Sequence, residues 1–254
     1  MRIIEFMDMQ STKFGGLGHF FVRLMKKDVS NEYFFVFQKY PRSKAMVDAF
    51  TECGAKIIVI DTIGKHSITH IPAVYKLFRN IKPDIVHFHF ANGFFFFAPL
   101  AKLAGVKHLF KTQHCCITTD DMQQVTNKNQ LSLKTKLASC NGKVYNLFDK
   151  IIMCGKYVQD QFVQVYGPSD KYELIYFGVE KINKLSDEEQ LQLRKKLNIQ
   201  DTEKVICTIA FADPVKGIDI LIKSLPYITD KHFKLVLVGL DSDLPLSKEY
   251  ILLA

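Results

Sequence analysis

KPDIVHFHFANGFFFFAPLAKLAGVKHLFKTQH occupies residues 82–114. Its flanks, DIVHFHF (Asp84–Phe90) and HLFKTQ (His108–Gln113), are short apolar runs without strict in–out alternation. Such runs read as strands covered on both faces, as in parallel sheets. Phe94–Ala104 between them reads as a helix. Strand, helix and strand in this order form a right-handed βαβ unit. The FFFF run, Phe94–Phe97, is apolar on nearly every side of its helix. It reads as a helix packed on the sheet, with a lipid-facing surface as the alternative.

The same alternation extends in both directions. Upstream come strands at Arg2–Met7, Tyr33–Gln38 and Lys56–Asp61, with helices at Leu17–Lys27, Ser43–Cys53 and Ile71–Asn80. Downstream, a longer polar and helical stretch leads to KIIMCG (Lys150–Gly155), a further helix and YELIYFG (Tyr172–Gly178). These βαβ units predict an α/β fold, a Rossmann-like doubly wound parallel sheet over residues 1–180. Polar sequence follows Gly178, and Ser186 with Glu189 forms a capping box that opens a helix to Leu197. VICTIAF (Val205–Phe211), a helix over Lys216–Leu225 and KLVLVG (Lys234–Gly239) then open a second, partial Rossmann-like domain over residues 181–254. Two parallel strands and two helices bury too little to complete such a domain.

The chain has 254 residues, 48% hydrophobic and 24% charged, with a formal net charge of +8. The positive balance suits an anionic substrate or an anionic membrane face. Its Lys and Arg residues are scattered rather than blocked, which argues against nucleic acid as a partner. Six cysteines without a C-x-x-C pair, and no signal-peptide layout at the N-terminus, point to reduced thiols and a cytoplasmic location. Ile85–Ala101 lacks charges but contains two histidines, Asn92, Gly93 and Pro99. It also falls short of the ~20 apolar residues of a membrane span.

Four places carry candidate chemistry. Gly15, Gly16 and Gly18 in KFGGLGHF lie between the first strand and its helix, where backbone N–H groups cradle phosphate; a plain glycine turn is the alternative. The dinucleotide fingerprint is not met, because Phe21 holds the third glycine position and the second strand ends in Gln38 rather than an acid. His87 and His89 lie two apart on one strand and so face one side. His89 is nearer the carboxyl end, where parallel sheets place their sites, and His114 ends the next strand. If those strands are neighbours, His89 and His114 approach one crevice; the alternative is a pair of strand-end histidines bonded to backbone. Cys115 and Cys116 read as spectators. Lys216 and Gly217 sit where a loop meets a helix directly after a strand, which suits a diphosphate; a solvated lysine is the alternative.

In chain order these sites resemble those of a family-4 glycosyltransferase, the retaining nucleotide-sugar group with two facing Rossmann-like domains, the GT-B fold. FGGLGHFFVRL resembles the family's first glycine loop, KPDIVHFHF its "PDIIH-H" strand and LFKTQH its "T-H" strand. LIYFGVE resembles "NGVD", VKGIDILIKSL "KG-D-LI-A" and KLVLVG "L-IVG". The resemblance implies a nucleotide-sugar donor held mainly by the C-terminal domain, a glycan or lipid-linked acceptor held mainly by the N-terminal one, and no metal or other cofactor. It gives Lys216 and the glycine loop the leaving diphosphate and places His114 beside the transferring sugar. Retention then needs no protein nucleophile. Work in polysaccharide or surface-glycan assembly, at the inner face of the cytoplasmic membrane, is implied likewise.

Two departures accompany the resemblance. Ala210 and Phe211 stand where the family has "GR", so an arginine contact to phosphate is lacking, unless another basic residue such as Lys223 substitutes. The family also continues beyond KLVLVG with a segment carrying two donor-binding glutamates, whereas Glu249 is the one acid among the last ten residues. These features lead to the expectation of a truncated chain with little transfer activity, or a non-catalytic relic. A second alternative is a metal-dependent hydrolase using His87, His89 and His114, with Asp120 and Asp121 nearby.

Overall fold

The computed structural model describes residues 1–7, 9–60, 67–90, 94–117, 143–178, 181, 183–241 and 244–253. The chain divides into two compact units, Met1–Glu180 and Lys181–Ala254.

The first unit runs β1 (Arg2–Phe6), α1 (Gly16–Lys27), β2 (Glu32–Phe37), α2 (Lys44–Glu52), β3 (Lys56–Val59), α3 (Ile71–Ile81), β4 (Ile85–Phe88), α4 (Phe94–Leu103), β5 (His108–Gln113), β6 (Lys150–Met153), α5 (Lys156–Tyr166) and β7 (Tyr172–Leu174). Its seven strands lie in the order β3-β2-β1-β4-β5-β6-β7, and every pairing is parallel. The order reverses at β1, between β2 and β4. Crevices at such switch points, outside the carboxyl ends of the strands, are where parallel sheets bind ligands.

Side-chain parity sorts the core onto two faces. Ile4, Phe6, Phe34, Val36, Val86 and Phe88 pack with Val74 and Phe78 of α3, Phe97, Ala98 and Ala101 of α4, and Val158 and Phe162 of α5. Ile3, Met7, Tyr33, Phe35 and Phe37 pack with Phe21 and Met25 of α1 and Met46 and Phe50 of α2. The FFFF helix thus contributes to the core on the sheet, although Leu103 at its end is exposed.

The second unit runs α6 (Asp187–Lys196), β8 (Lys204–Ile209), α7 (Ile218–Ser224), β9 (Phe233–Val238) and α8 (Pro245–Leu253), with β8 and β9 parallel. Ser186 caps α6: its hydroxyl accepts from the Glu189 N–H while the Glu189 carboxylate accepts from the Ser186 N–H. Ile218, Ile222 and Tyr250 form its small core. Val205, Ile209 and Val238 stay exposed on the strands.

Several bounds differ from the sequence reading. The strand expected over Tyr172–Gly178 ends at Leu174, because β7 lies at the sheet edge and has a partner on one side alone. β4 ends at Phe88, leaving His89 just beyond it, although the His89 N–H still donates to the Phe6 carbonyl at 2.9 Å. The helix expected from Leu17 starts at Gly16. The one expected from Lys216 starts at Ile218, after a 3-10 turn over Pro214–Lys216. Helix α8 had no counterpart in the reading. Asp61 of the third expected strand lies outside the described residues.

Gly239 closes β9 with φ +99°, and a Cβ there would meet the Ala210 carbonyl oxygen at 3.0 Å. Gly239→Ala therefore adds left-handed strain to a backbone collision. It is expected to destabilise the second unit by about 1–3 kcal/mol. Limited proteolysis of that unit across a urea series measures the change.

Candidate active site

The site grows from one strand residue. Glu5 stands on β1 among buried apolar neighbours and is itself 2% exposed. The sheet register sets it opposite His87 of β4. Parity puts Glu5, His87 and His89 on the face that α1 covers, where the edge of Phe21 meets the His89 ring at 5.3 Å. Glu5 Oε2 accepts from His89 Nε2 at 2.8 Å and lies 3.1 Å from His87 Nδ1. His87 Nε2 lies 2.8 Å from Thr112 Oγ1 of β5. His89 Nδ1 lies 2.9 Å from His114 Nε2. The adjacency of β4 and β5 thus brings His89 and His114 together directly.

Two phenylalanine rings stack with His114. Phe90 stacks on it at 4.2 Å and 16°, and Phe177 at 5.5 Å and 6°. Phe90 itself takes φ 22°, a conformation few aromatic residues adopt and one that clusters at functional sites. Cys154 Sγ donates to the His114 carbonyl.

Burial and charge set the protonation states. Burial pushes the Glu5 carboxyl up, but His87, followed by His89, more than offsets this and holds it at about 2. Burial, with His87 next, lowers His89 to about 4. Burial, then His89, His87 and Lys111, lowers His114 to about 3. At neutral pH the cluster is an ionised carboxylate with neutral His89 and His114.

These shifts predict acid sensitivity. A histidine kept neutral by the fold binds fewer protons folded than unfolded once pH falls below its ordinary value of 6.5. Its contribution is complete above 6.5 and declines toward the folded value of about 4. Glu5 acts in the same direction lower down, between its ordinary 4.5 and about 2. The urea midpoint of the first unit is therefore expected to be lower at about pH 5 than at about pH 7. Equal midpoints would contradict these protonation states.

The glycine segment lies at the carboxyl end of β1, and its three residues differ in position. Gly15 is the N-cap of α1, and no side chain caps it. Gly15 and Gly16 face open space, whereas a Cβ on Gly18 would meet the Phe14 ring at 2.7 Å. Gly18 therefore serves packing, and Gly15 and Gly16 leave the helix start open. Beside them is a cavity of about 230 Å³ lined by Met7, Met9, Lys13, Phe37 and Met46, with Phe90 in its wall. One face of the Phe90 ring thus belongs to His114, and the residue also borders the cavity.

In the second unit, Asp213 caps the 3-10 turn by accepting from the Val215 N–H. Gly217 follows with φ 63°. Lys216 is exposed, and its ammonium lies 5.2 Å over the Phe211 ring. The residue replacing the expected arginine is therefore a cation–π platform for the neighbouring lysine. Lys223 pairs with Asp219 at 3.3 Å.

Sequence reading identified His87, His89 and His114 but missed Glu5, Phe90 and Phe177. A carboxylate inside the apolar run RIIEFM was the available signal, since buried acids need partners. For the hydrolase alternative, the metal-ligand type cluster found among the described residues comprises Glu5, His87 and His89 rather than the three histidines. The nitrogens facing Glu5 are hydrogen bonded to it. Asp120 and Asp121 lie outside the described residues.

Comparison with known proteins adds a family and a fold. A family model described as Glycosyltransferase Family 4 matches residues 14–181. The uncharacterized glycosyltransferase MJ1607 of Methanocaldococcus jannaschii is 33% identical over 96 residues, 35% of this chain and 24% of that protein. The crystal structure of Anabaena Alr3699/HepE in complex with UDP matches with a TM-score of 0.73 at 19% identity, covering 99% of this chain and 64% of that one. A glycosyltransferase from Rickettsia africae matches with a TM-score of 0.68 at 16% identity, covering 99% and 64%. The α/β architecture is thus that of GT-B structures. The chain spans 64% of the length of each of these two structures.

Proposed function

Because the chain belongs to Glycosyltransferase Family 4, we propose that it moves a sugar from a nucleotide-sugar donor to a glycan or lipid-linked acceptor. The observation that carries this reading is the meeting of the open start of α1, the adjoining cavity and the His89–His114 pair at the carboxyl ends of β1, β4 and β5. The acceptor occupies this crevice of the first unit, and His114 contacts the sugar that is transferred. Lys216, with the Gly217 backbone, neutralises the leaving diphosphate; preorganised charge of this kind stabilises transition states that expel an anion. Transfer proceeds with retention, without a protein nucleophile and without a metal.

Among the described residues no helix is long and apolar enough to cross a membrane. The net charge of +8 suits peripheral contact with anionic lipid at the inner face of the cytoplasmic membrane, where surface glycans are assembled.

Calorimetric titration with UDP- and GDP-sugars, followed by a radiolabelled transfer assay, tests the proposal. Saturable heat with one nucleotide class and label transfer to a glycan or lipid acceptor is the expected result. UDP is the first probe, because HepE was crystallised with it. Absence of heat with every nucleotide sugar replaces the proposal with the relic reading, an acceptor domain without donor binding.

A further inference from the structure

The hydrogen bonds around Glu5 determine where the protons lie on three histidines. An ionised carboxylate can accept only, so His89 Nε2, 2.8 Å from Glu5 Oε2, carries a proton. The Nδ1 of His87, 3.1 Å from the same oxygen, carries one too. A neutral imidazole has a single N–H. His89 Nδ1 is therefore a bare acceptor, and the proton in its 2.9 Å bond to His114 comes from His114 Nε2. His114 is then left with a lone pair on Nδ1. Among the described residues no hydrogen-bond donor to His114 Nδ1 is found. Phe90 and Phe177, both stacked with the ring, restrict its orientation.

We propose that Glu5 is a positioning residue that acts through His89 to present His114 Nδ1 as a hydrogen-bond acceptor, so that the substrate group meeting it is a hydroxyl. The inference rests on the reading that His114 contacts the sugar, and it narrows that contact. An ionised phosphate or carboxylate oxygen has no proton to give to this lone pair. A sugar hydroxyl donates to the lone pair without any proton leaving it. Recognition at the β4–β5 tips is thus for a neutral polyol.

Long-range proton–nitrogen NMR on the histidine-labelled 254-residue protein tests this, with His114→Gln used to assign the His114 resonances. The expected spectrum at neutral pH has a pyrrole-type Nε2 and a pyridine-type Nδ1 for His114. Glu5→Leu removes the acceptor and is expected to shift both nitrogens toward intermediate positions, the mark of mixed tautomers. Glu5→Gln, whose amide oxygen accepts both bonds, is expected to restore the original pattern. A proton on His114 Nδ1 in the unsubstituted protein overturns the proposal, as does an unchanged tautomer in Glu5→Leu. Should Glu5→Leu fail to fold, the unsubstituted spectrum decides alone. The readout requires no turnover, so it fails or holds separately from the sugar-transfer reading.

Discussion

Phe35→Ala is expected to lower the unfolding free energy of the first unit by about 3–5 kcal/mol. Phe35 is fully buried at the centre of β2. Its ring lies 4.4 Å from Phe50 of α2 and 5.0 Å from Phe21 of α1. Truncation removes an aromatic from between two helices and a sheet, and the flanking rings are too large to collapse together into the space. Domains are commonly stable by only about 5–15 kcal/mol, so much of the margin would go. The chain contains no tryptophan, so far-ultraviolet circular dichroism during urea unfolding is the suitable probe. Val29→Ala, at a residue 85% exposed, serves as the control and is expected to stay within about 0.5 kcal/mol. Equal effects at the two positions would show that this face of the sheet does not hold the unit together.

Lys216→Ala is expected to slow sugar transfer by about 10²–10³-fold, the usual cost of one charge-stabilising donor. It is also expected to weaken UDP binding by at least about tenfold, as loss of a hydrogen bond between charged groups commonly does. The reason lies in its surroundings. The ammonium is exposed and sits over the Phe211 ring, with no carboxylate paired to it among the described residues. Its charge is free for a ligand, in contrast to Lys223 and Lys204, which pair with Asp219 and Asp230. Phe211→Arg provides the converse test. A guanidinium at that position is expected to tighten UDP about tenfold by adding a bidentate contact. Calorimetry on the three proteins measures both directions. Unchanged UDP affinity in Lys216→Ala would remove Lys216 from the donor site.

Much of the site could be read from spacing alone. His87 and His89 share a face because strand side chains alternate with period two, and that needs no tertiary information. His114 at the end of the following strand becomes their neighbour once consecutive strands of a βαβ unit lie side by side, the commonest arrangement. The glycines were visible as a group but not in their separate positions. Gly18 packs under Phe14 because α1 begins two residues before it, and a helix start shifted by one or two residues leaves little trace in a sequence.

By itself the chain's order of apolar runs determined a parallel α/β architecture, the strands that carry the histidines and the loop that carries Lys216. Local periodicity suffices for these, because it reports which residues must leave water within a few positions of one another. The partner of His89 was decided by tertiary structure. Glu5 lies 84 residues away in sequence and meets His89 because β1 and β4 pair in one particular register. Phe177 reaches the His114 ring from beyond β7 for a similar reason. A buried carboxylate must find donors somewhere, and only the folded sheet determines which imidazoles supply them.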